Sequence, residues 1–321
     1  MMPSTDSFLQ HHADGIHVID TGFHRPRFDA SYLLVERGRA AFVDTGTNHS
    51  VPRLLAALDA VGVARAEVDF VIATHVHLDH AGGVGLLMRE LPGARLVVHP
   101  NGARHLIDPA KLMAGARAVY GDEEVERSYG DVVGVAAERV LTTTDGMTLD
   151  LAGRPLRFID TPGHARHHHC VWDARSGGFF TGDTFGLSYR EFDTERGAWL
   201  LPTTTPVQFD PQALRASVLR MLAYAPRWMF LTHYGAIGDV QALGAQFLEQ
   251  LDEMVTLGRA LAGRPDRGVA LREGLRELYL QRLRRHGCTL GEARSLELLA
   301  MDVELNAQGM GIWLDRSARR Q

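Results

Sequence analysis

The stretch that most constrains this chain is 74–83, because it holds four side chains able to bind a metal within six residues. These are His75, His77, Asp79 and His80. In an extended segment, residues two apart point to the same side, so the first three are expected to face together and His80 elsewhere. The apolar run Val68–Ala73 precedes them and indicates a buried strand, while a Gly pair and a helical pattern follow. The cluster is therefore predicted at the carboxyl end of a strand, where α/β folds place their sites.

A single loop cannot complete two coordination shells, so further ligands are expected downstream, each at the end of a strand. His164 follows a Pro-Gly turn after the predicted strand 155–160. Asp183 follows the strand 178–181, and His233 follows the strand 227–231. A carboxylate such as that of Asp183 could bridge two cations, since each of its oxygens can bind one. The alternative, a surface loop rich in His by chance, is disfavoured by the number and spacing of these residues.

Asp44 ends the predicted strand 40–44 and has two interpretations that the sequence leaves open. It could orient a metal-bound His from behind, or it could form an Asx-type turn. His99 and His105 belong to no cluster and are predicted to be structural.

Composition limits the classes of protein that fit. The 321 residues suffice for one large domain or for a domain with a smaller partner. The net charge of -5, without a long basic run, disfavours nucleic acid as a partner. Residues 1–15 are polar and lack a signal-peptide core, and no stretch is long enough to span a membrane. Only Cys170 and Cys288 are present, so we expect no disulfide framework and a cytoplasmic location.

Periodicity predicts strands and helices in alternation up to residue 238 and only helices beyond it. The segment 111–131 shows no clear period and is expected to be less regular. From residue 239 onward, apolar residues recur at helical spacing and no strand pattern appears. We therefore predict a catalytic domain over residues 1–238 and an α-helical extension over residues 239–321 that packs on it.

The order His75-Val76-His77-Leu78-Asp79-His80, then His164, Asp183 and His233, resembles the metallo-β-lactamase superfamily. The resemblance implies an α+β fold, an αββα sandwich with the metals at one edge of its two sheets, here followed by the C-terminal helical extension. It also implies the ligand sets. The first metal would be bound by His75, His77 and His164, the second by Asp79, His80 and His233, and Asp183 would bridge them.

The chain departs from members of the superfamily in informative ways. Secreted β-lactamases of the superfamily carry an export signal, which this sequence is not expected to have. Glyoxalase II and lactone-cleaving members often have a second Gly and a second His after the metal-binding His. Here His168 keeps the second His, whereas His167 replaces the Gly, so His168 is predicted to be structural. The tail is similar in kind to those of glyoxalase II and the quinolone-signal response protein.

The function implied is hydrolysis by two divalent cations that share a water and lower its pKa to about 7. The resulting hydroxide would attack the carbonyl of a thioester, ester or lactone, with Asp79 or Asp183 orienting it and passing on its proton. Zinc suits these ligands, and iron or manganese suits them nearly as well. The expected partner is a small-molecule substrate, with neither nucleic acid nor membrane, and a homodimer is one candidate assembly.

Three alternatives come from other classes. A phosphodiesterase or nuclease of the same fold would use the same metals but should show a basic groove. A redox di-iron enzyme would usually need a flavin or rubredoxin-like domain, and two cysteines cannot form a four-thiolate iron site. A ligand-binding signalling protein with a little-used site is the third alternative, which an intact ligand set weakens.

Tyr189 lies six residues after Asp183 and is a candidate for binding the substrate carbonyl. Phe185 and Phe192 would be apolar neighbours in such a pocket. The alternative is that Tyr189 packs under the helical tail. The tail itself is expected to fold over the metal edge and enclose a pocket for a small substrate.

Overall fold

The computed structural model describes residues 7–319. The start of the polar stretch 1–15 and the last two residues of the predicted tail lie outside the described residues. The chain forms two compact units. The sheet unit comprises the chain through Asp160, His167–Gly182 and Pro226–Gly238. The helical unit comprises Thr161–Arg166, Asp183–Ala225 and the chain from Asp239 onward, so it contains the helical segment predicted from the sequence together with two earlier segments.

The first sheet of the sheet unit has seven strands, which lie side by side in chain order. The first four pair antiparallel and the last three continue the sheet in parallel. They are β1 (Leu9–His11), β2 (Ile16–Asp20), β3 (Ala30–Glu36), β4 (Arg39–Val43), β5 (Val68–Ala73), β6 (Arg95–Val98) and β7 (Val140–Thr142).

The second sheet has six strands and is mixed as well. In chain order these are β8 (Thr148–Leu151), β9 (Arg154–Asp160), β10 (His169–Asp173), β11 (Gly178–Gly182), β12 (Trp228–Leu231) and β13 (Gly235–Ile237). Only β11 and β12 are parallel, and the other neighbours pair antiparallel. Parallel pairing brings the carboxyl ends of β4, β5 and β6 to one edge of the first sheet, and those of β11 and β12 to one edge of the second.

Successive side chains of a strand bury opposite faces, as β4 shows. Ala41 and Val43 belong to an apolar core that also contains Phe158 and Phe230 of the second sheet. Phe42 belongs to the other core, which the first sheet shares with its covering helices. Full burial of the Val and Phe side chains among them contributes about 1.5–3 kcal/mol each. Burial on both faces explains why these strands are near-continuous apolar runs.

The helices of the sheet unit follow its strands. They are α1 (Val51–Val61), α2 (Leu78–Ala81), α3 (Val84–Glu90), α4 (Pro100–Ile107), α5 (Ala110–Tyr120) and α6 (Asp122–Tyr129). The prediction that 111–131 is irregular was wrong, because two helices occupy most of it. Gly121 separates them with φ +85°, and three acidic residues in the first turn of α6 complement its dipole. Met113 is the only buried residue recorded in α5, so the apolar period that reveals most helices is weak there.

The helical unit contains α7 (Pro211–Leu222), α8 (Val240–Leu261), α9 (Arg267–His286), α10 (Glu292–Leu298) and α11 (Ala300–Ala318). Asp210 caps α7 by accepting hydrogen bonds from the N–H groups of Gln212 and Ala213, both at 3.1 Å. The apolar stripes of α8, α9 and α11 are buried within this unit, with Phe247 and Leu275 fully inaccessible. The stripes predicted from residue 239 onward therefore pack against one another. None of the described helices combines the length and the apolarity needed to cross a bilayer.

Candidate metal centre

The His-rich stretch begins where β5 ends, as the sequence predicts. Residue 77 has extended backbone (φ −64°, ψ 149°) and serves as the N-cap of α2. Asp79 and His80 lie inside α2, where the His80 N–H donates to the carbonyl of His77 at 3.1 Å. The expectation that Asp79 continues one extended run with the preceding histidines was therefore wrong. The helix turns Asp79 and His80 away from that run, so the ligand atoms of the stretch point in two directions.

Asp44 is fully buried and fixes the orientation of His80. Its carboxylate accepts a hydrogen bond from His80 Nδ1 at 2.8 Å. It also accepts from the hydroxyl of Thr232 at 2.8 Å and from the backbone N–H and hydroxyl of Thr74 at 2.8 and 2.9 Å. We call these four residues the Asp44 cluster. The structure thus favours the first interpretation of Asp44, because a proton held on Nδ1 leaves the Nε2 lone pair for a metal.

His233 is oriented in the same way, by a backbone carbonyl. Its Nδ1 donates to the carbonyl of Phe28 at 3.0 Å, which leaves Nε2 as the available ligand atom. That Nε2 lies 3.4 Å from Asp79 Oδ2, and His80 Nε2 lies 3.8 Å from the same oxygen. The ligand atoms of the three residues all lie within 4.8 Å of one another. Two imidazoles and a carboxylate at such separations fit one divalent cation with bonds of about 2.0–2.2 Å.

His75 and His77 form a second pair of nitrogen donors. His75 Nε2 lies 2.8 Å from His77 Nδ1, and His75 Nδ1 lies 3.2 Å from the hydroxyl of Thr74. The ring of His168 stacks on His75 with the centroids 4.8 Å apart. His168 thus supports a candidate ligand and is absent from every candidate ligand group of the described residues, in agreement with its predicted structural role.

His164 and Asp183, the two remaining candidate ligands, lie in the helical unit. His164 Nδ1 lies 3.3 Å from the carbonyl of Thr203, and its Nε2 lies 3.2 Å from Asp183 Oδ2. Gly163 precedes the histidine with φ +135°, and a Cβ there would fall 2.2 Å from the backbone nitrogen of Leu214. Only Gly fits this position, so the Pro-Gly turn is what places the His164 ring. All four ligand stretches follow the ends of strands, namely β5, β9, β11 and β12, as predicted.

Several supporting groups could not be found from sequence patterns. The carbonyl of Phe28 and the hydroxyl of Thr232 carry no motif, since they reach the site only through the fold. Asp29 is a further buried carboxyl group, and its Oδ2 accepts the hydroxyl of Thr21 at 2.9 Å. Burial raises the pKa of Asp29 to about 7, partly opposed by His233 and His80. Its predecessor and successor are apolar, so no spacing marks it.

Two further histidines, His99 and His169, have structural contacts. His99 Nε2 lies 3.2 Å from Asp160 Oδ1. His169 Nδ1 lies 2.9 Å from the hydroxyl of Thr143, and burial lowers the pKa of His169 to about 3, so the ring is neutral. Neither His99 nor His105 belongs to a candidate ligand group of the described residues, as their predicted structural roles require.

Tyr189 lies inside the helical unit with 1% of its surface exposed. Its hydroxyl is 3.2 Å from both carboxylate oxygens of Asp302. Phe185 stacks on Phe247 with the centroids 5.8 Å apart. These contacts favour the packing interpretation of Tyr189. Its role at a substrate stays a prediction, and so does the expected cover of the metal edge by the tail.

Comparisons with known proteins find relatives that match half of the chain or more, or nearly half of it. A metallo-beta-lactamase fold-containing protein of Sulfurisphaera tokodaii is 27% identical over 228 residues, which are 70% of this chain and 79% of that protein. A hydroxyacylglutathione hydrolase of a Synechococcus strain is 32% identical over 155 residues, 48% of this chain and 47% of its own length. An atrochrysone carboxyl ACP thioesterase of Aspergillus fumigatus is 28% identical over 155 residues, 48% of this chain and 39% of its own length.

Comparison with solved structures finds the same fold. The crystal structure of a metallo-beta-lactamase family protein from Thermus thermophilus superposes with a TM-score of 0.66 at 21% identity, covering 95% of this chain and 94% of that one. At that identity the likeness shows the fold alone: α+β, with two mixed sheets, helices and a C-terminal helical segment. The sequence model of the metallo-beta-lactamase superfamily matches residues 24–233, about two thirds of the chain. The chain therefore belongs to the metallo-beta-lactamase superfamily.

Proposed function

We propose that this protein is a dinuclear metal-dependent hydrolase that cleaves a thioester, ester or lactone of small size. The observation that carries the proposal is the group formed by Asp79, His80 and His233, whose ligand atoms converge while Asp44 and the Phe28 carbonyl hold the two rings. The relatives named as a hydrolase and a thioesterase support carbonyl chemistry. The chain spans less than half the length of each of those two, so their activities enter only as support.

The proposed ligand assignment follows the superfamily order. His75, His77 and His164 would hold the first cation, Asp79, His80 and His233 the second, and Asp183 would bridge the two. Five imidazoles and two carboxylates form a mixed N/O set that suits zinc best, with iron and manganese as the other candidates. Metal analysis of ligand variants tests the assignment directly.

Two bound divalent cations would supply a water of lowered pKa and Lewis acidity toward the substrate carbonyl. The residues of the chain would orient and deprotonate that water. The side chain of Asp79 is 26% exposed, whereas that of His233 is 7% exposed, so the Asp79 carboxylate is the group of this pair that can pass a proton to solvent. Asp183 is buried and would hold the water in place. Asp44 would keep the Nδ1 proton of His80 fixed throughout.

Elemental analysis of protein purified without chelator, with turnover of a panel of thioesters, lactones and phosphodiesters, tests the proposal. We expect two metal ions per chain and fastest turnover of a carbonyl substrate. His105→Gln is a matched control, because it removes an imidazole that belongs to no candidate ligand group. A fully loaded sample with one metal, in which His80 and His233 bind none, would contradict the dinuclear assignment. Preferential cleavage of phosphodiesters would contradict the carbonyl assignment.

A further inference from the structure

The sheet unit contains a second polar feature, a cavity of about 390 Å³ that the proposed chemistry does not use. The loop after β2, the turn before α1 and the end of α6 line it. Its volume lies within the range of small-molecule sites. We call it the arginine cavity, after Arg53 on one wall and Arg127 on another.

The lining of the arginine cavity is basic and rich in hydroxyl groups. Besides the two arginines it includes His24 and His49, and the hydroxyl groups come from Thr and Ser side chains. The described lining residues include no carboxylate, but Glu124 beside them pairs with Arg127 and accepts the hydroxyl of Ser128. Guanidinium groups bind carboxylate and phosphate with two parallel hydrogen bonds, so this composition suits an anion.

Arg53 is held in place by the protein. Its Nη1 donates to the carbonyl of Asp20 at 2.9 Å, and its guanidinium lies 5.6 Å from the centroid of the Phe8 ring. A Cβ added to Gly22 would fall 2.6 Å from the guanidinium carbon, and Gly22 has φ +78°, so this wall requires Gly. The Asp20 carboxylate accepts the N–H groups of Gly22 and Arg27 at 3.0 and 3.1 Å, and its ion pair with Arg53 is long, at 3.8 Å. Arg53 is therefore preorganised, and its one carboxylate partner among the described ion pairs lies at the long distance of 3.8 Å.

The arginine cavity lies close to the candidate ligands within the same unit. The ring of His24, on its wall, packs on Phe28 with the centroids 5.3 Å apart. Phe28 packs in turn on the ring of His233, at 5.5 Å. One aromatic ring, that of Phe28, thus packs between the lining of the cavity and a proposed metal ligand.

We propose that the arginine cavity binds an anionic group, a carboxylate or a phosphate, of the substrate whose carbonyl reacts at the metal ligands. The proposal rests on the proposed function and adds the substrate class to it: a small acyl compound that carries a negative charge apart from the scissile carbonyl. Hydrolysis would add water to that carbonyl, break its bond to sulfur or oxygen and release an acid and a thiol or alcohol.

The first experiment compares two substrates that differ only in charge, S-acetyl-3-mercaptopropionate and its methyl ester, with thiol release as the readout. The full metal-loaded chain should prefer the anion in kcat/KM. Arg53→Gln and Arg127→Gln should each lower that preference about tenfold, the effect of one charge-assisted hydrogen bond. The side chain of Arg127 is 71% exposed, so its removal should leave the fold intact. Arg95→Gln, an exposed arginine outside the cavity, should preserve the preference. Preferences that are unchanged in both cavity variants would overturn the proposal.

The second experiment does not depend on turnover. Binding of inorganic phosphate and of acetate to the metal-loaded chain is measured by calorimetry, in the wild type, the two cavity variants and Arg95→Gln. We expect the dissociation constant of one anion to rise about tenfold in the cavity variants and not in the control. The anion affected identifies the group as phosphate or carboxylate, and equal binding of both anions in all variants would overturn the proposal. If these shifts occur although no acyl substrate is cleaved, the cavity assignment stands and the proposed function fails.

Discussion

Two clusters of buried polar side chains, one in each unit, have opposite arrangements. In the helical unit, Asn306 accepts the N–H of Thr204 at 2.8 Å and donates to the hydroxyl of Tyr279 at 2.8 Å. Burial raises the pKa of Tyr279, so this hydroxyl stays protonated. In the Asp44 cluster, the hydrogen bonds all converge on one carboxylate and orient the imidazole of His80 so that its other nitrogen faces Asp79. We refer to the first set, Asn306, Thr204 and Tyr279, as the Asn306 cluster.

The difference shows what separates a structural polar cluster from a functional one. Burial is equal, since Asn306 and Asp44 are both almost inaccessible. In the Asn306 cluster the amide of Asn306 pairs with a donor and an acceptor of its neighbours, and these hydrogen bonds stabilise the fold. In the Asp44 cluster the hydrogen bonds orient His80, whose Nε2 lies 3.8 Å from Asp79 Oδ2 in a group that could hold a metal ion.

The largest effect is expected from Asp183→Ala. Loss of the proposed bridging carboxylate should loosen both metals and lower turnover by more than about a hundredfold, beyond the 10–100-fold that supporting groups typically contribute. Turnover, metal content and melting temperature measured together check this. A variant that keeps both metals and near-normal turnover would remove Asp183 from the mechanism.

A smaller effect is expected from Asp44→Asn, which tests the Asp44 cluster itself. Asp44 has φ +55°, a conformation that Asn also tolerates, so the backbone should be preserved. The amide cannot accept from His80 as the carboxylate does, and metal affinity should fall about 10–100-fold. Competition with a chelator of known affinity measures it. Unaltered metal affinity would mean that Asp44 has only a structural role.

Asn306→Ala should have the opposite effect, a loss of stability without a loss of metal. It leaves the Thr204 N–H and the Tyr279 hydroxyl buried without Asn306 as a partner and should lower the free energy of unfolding by about 3 kcal/mol. Metal stoichiometry should stay the same. Denaturant unfolding measures the change in stability, and elemental analysis measures the metal stoichiometry. Loss of metal without loss of stability would invalidate the contrast between the clusters.

The smallest effect is expected from Tyr189→Phe, which removes one hydroxyl and keeps the ring. Because that hydroxyl contacts Asp302, we expect stability to fall by about 1 kcal/mol while turnover stays the same. Melting temperature and turnover on the best substrate distinguish a packing role of Tyr189 from a role at the substrate. A clear fall in turnover at unchanged melting temperature would instead assign Tyr189 to the substrate.

The sequence predicted the parts of this molecule that local patterns encode. The strand before His75 and the turns at His164 and His233 were found because apolar runs and a Pro-Gly pair mark strand ends. Helices α5 and α6 were missed because little of their surface is buried, so their apolar period is weak. The supporting roles of Phe28 and Thr232 could not be predicted, since each meets its partner across most of the chain.

That separation along the chain has a consequence for folding. The hydrogen bond from Thr232 to Asp44 joins residues 188 apart, and the one from His233 to Phe28 joins residues 205 apart. Contacts of this range form late and slowly, because long loops must close before they contribute. A nascent or partly unfolded chain therefore cannot present His80 and His233 together, and it should bind the second metal poorly. Metal that binds the folded chain and not the unfolded chain would stabilise the folded state by mass action. If the proposed ligand assignment holds, the Asp44 cluster makes metal uptake a measure of completed folding.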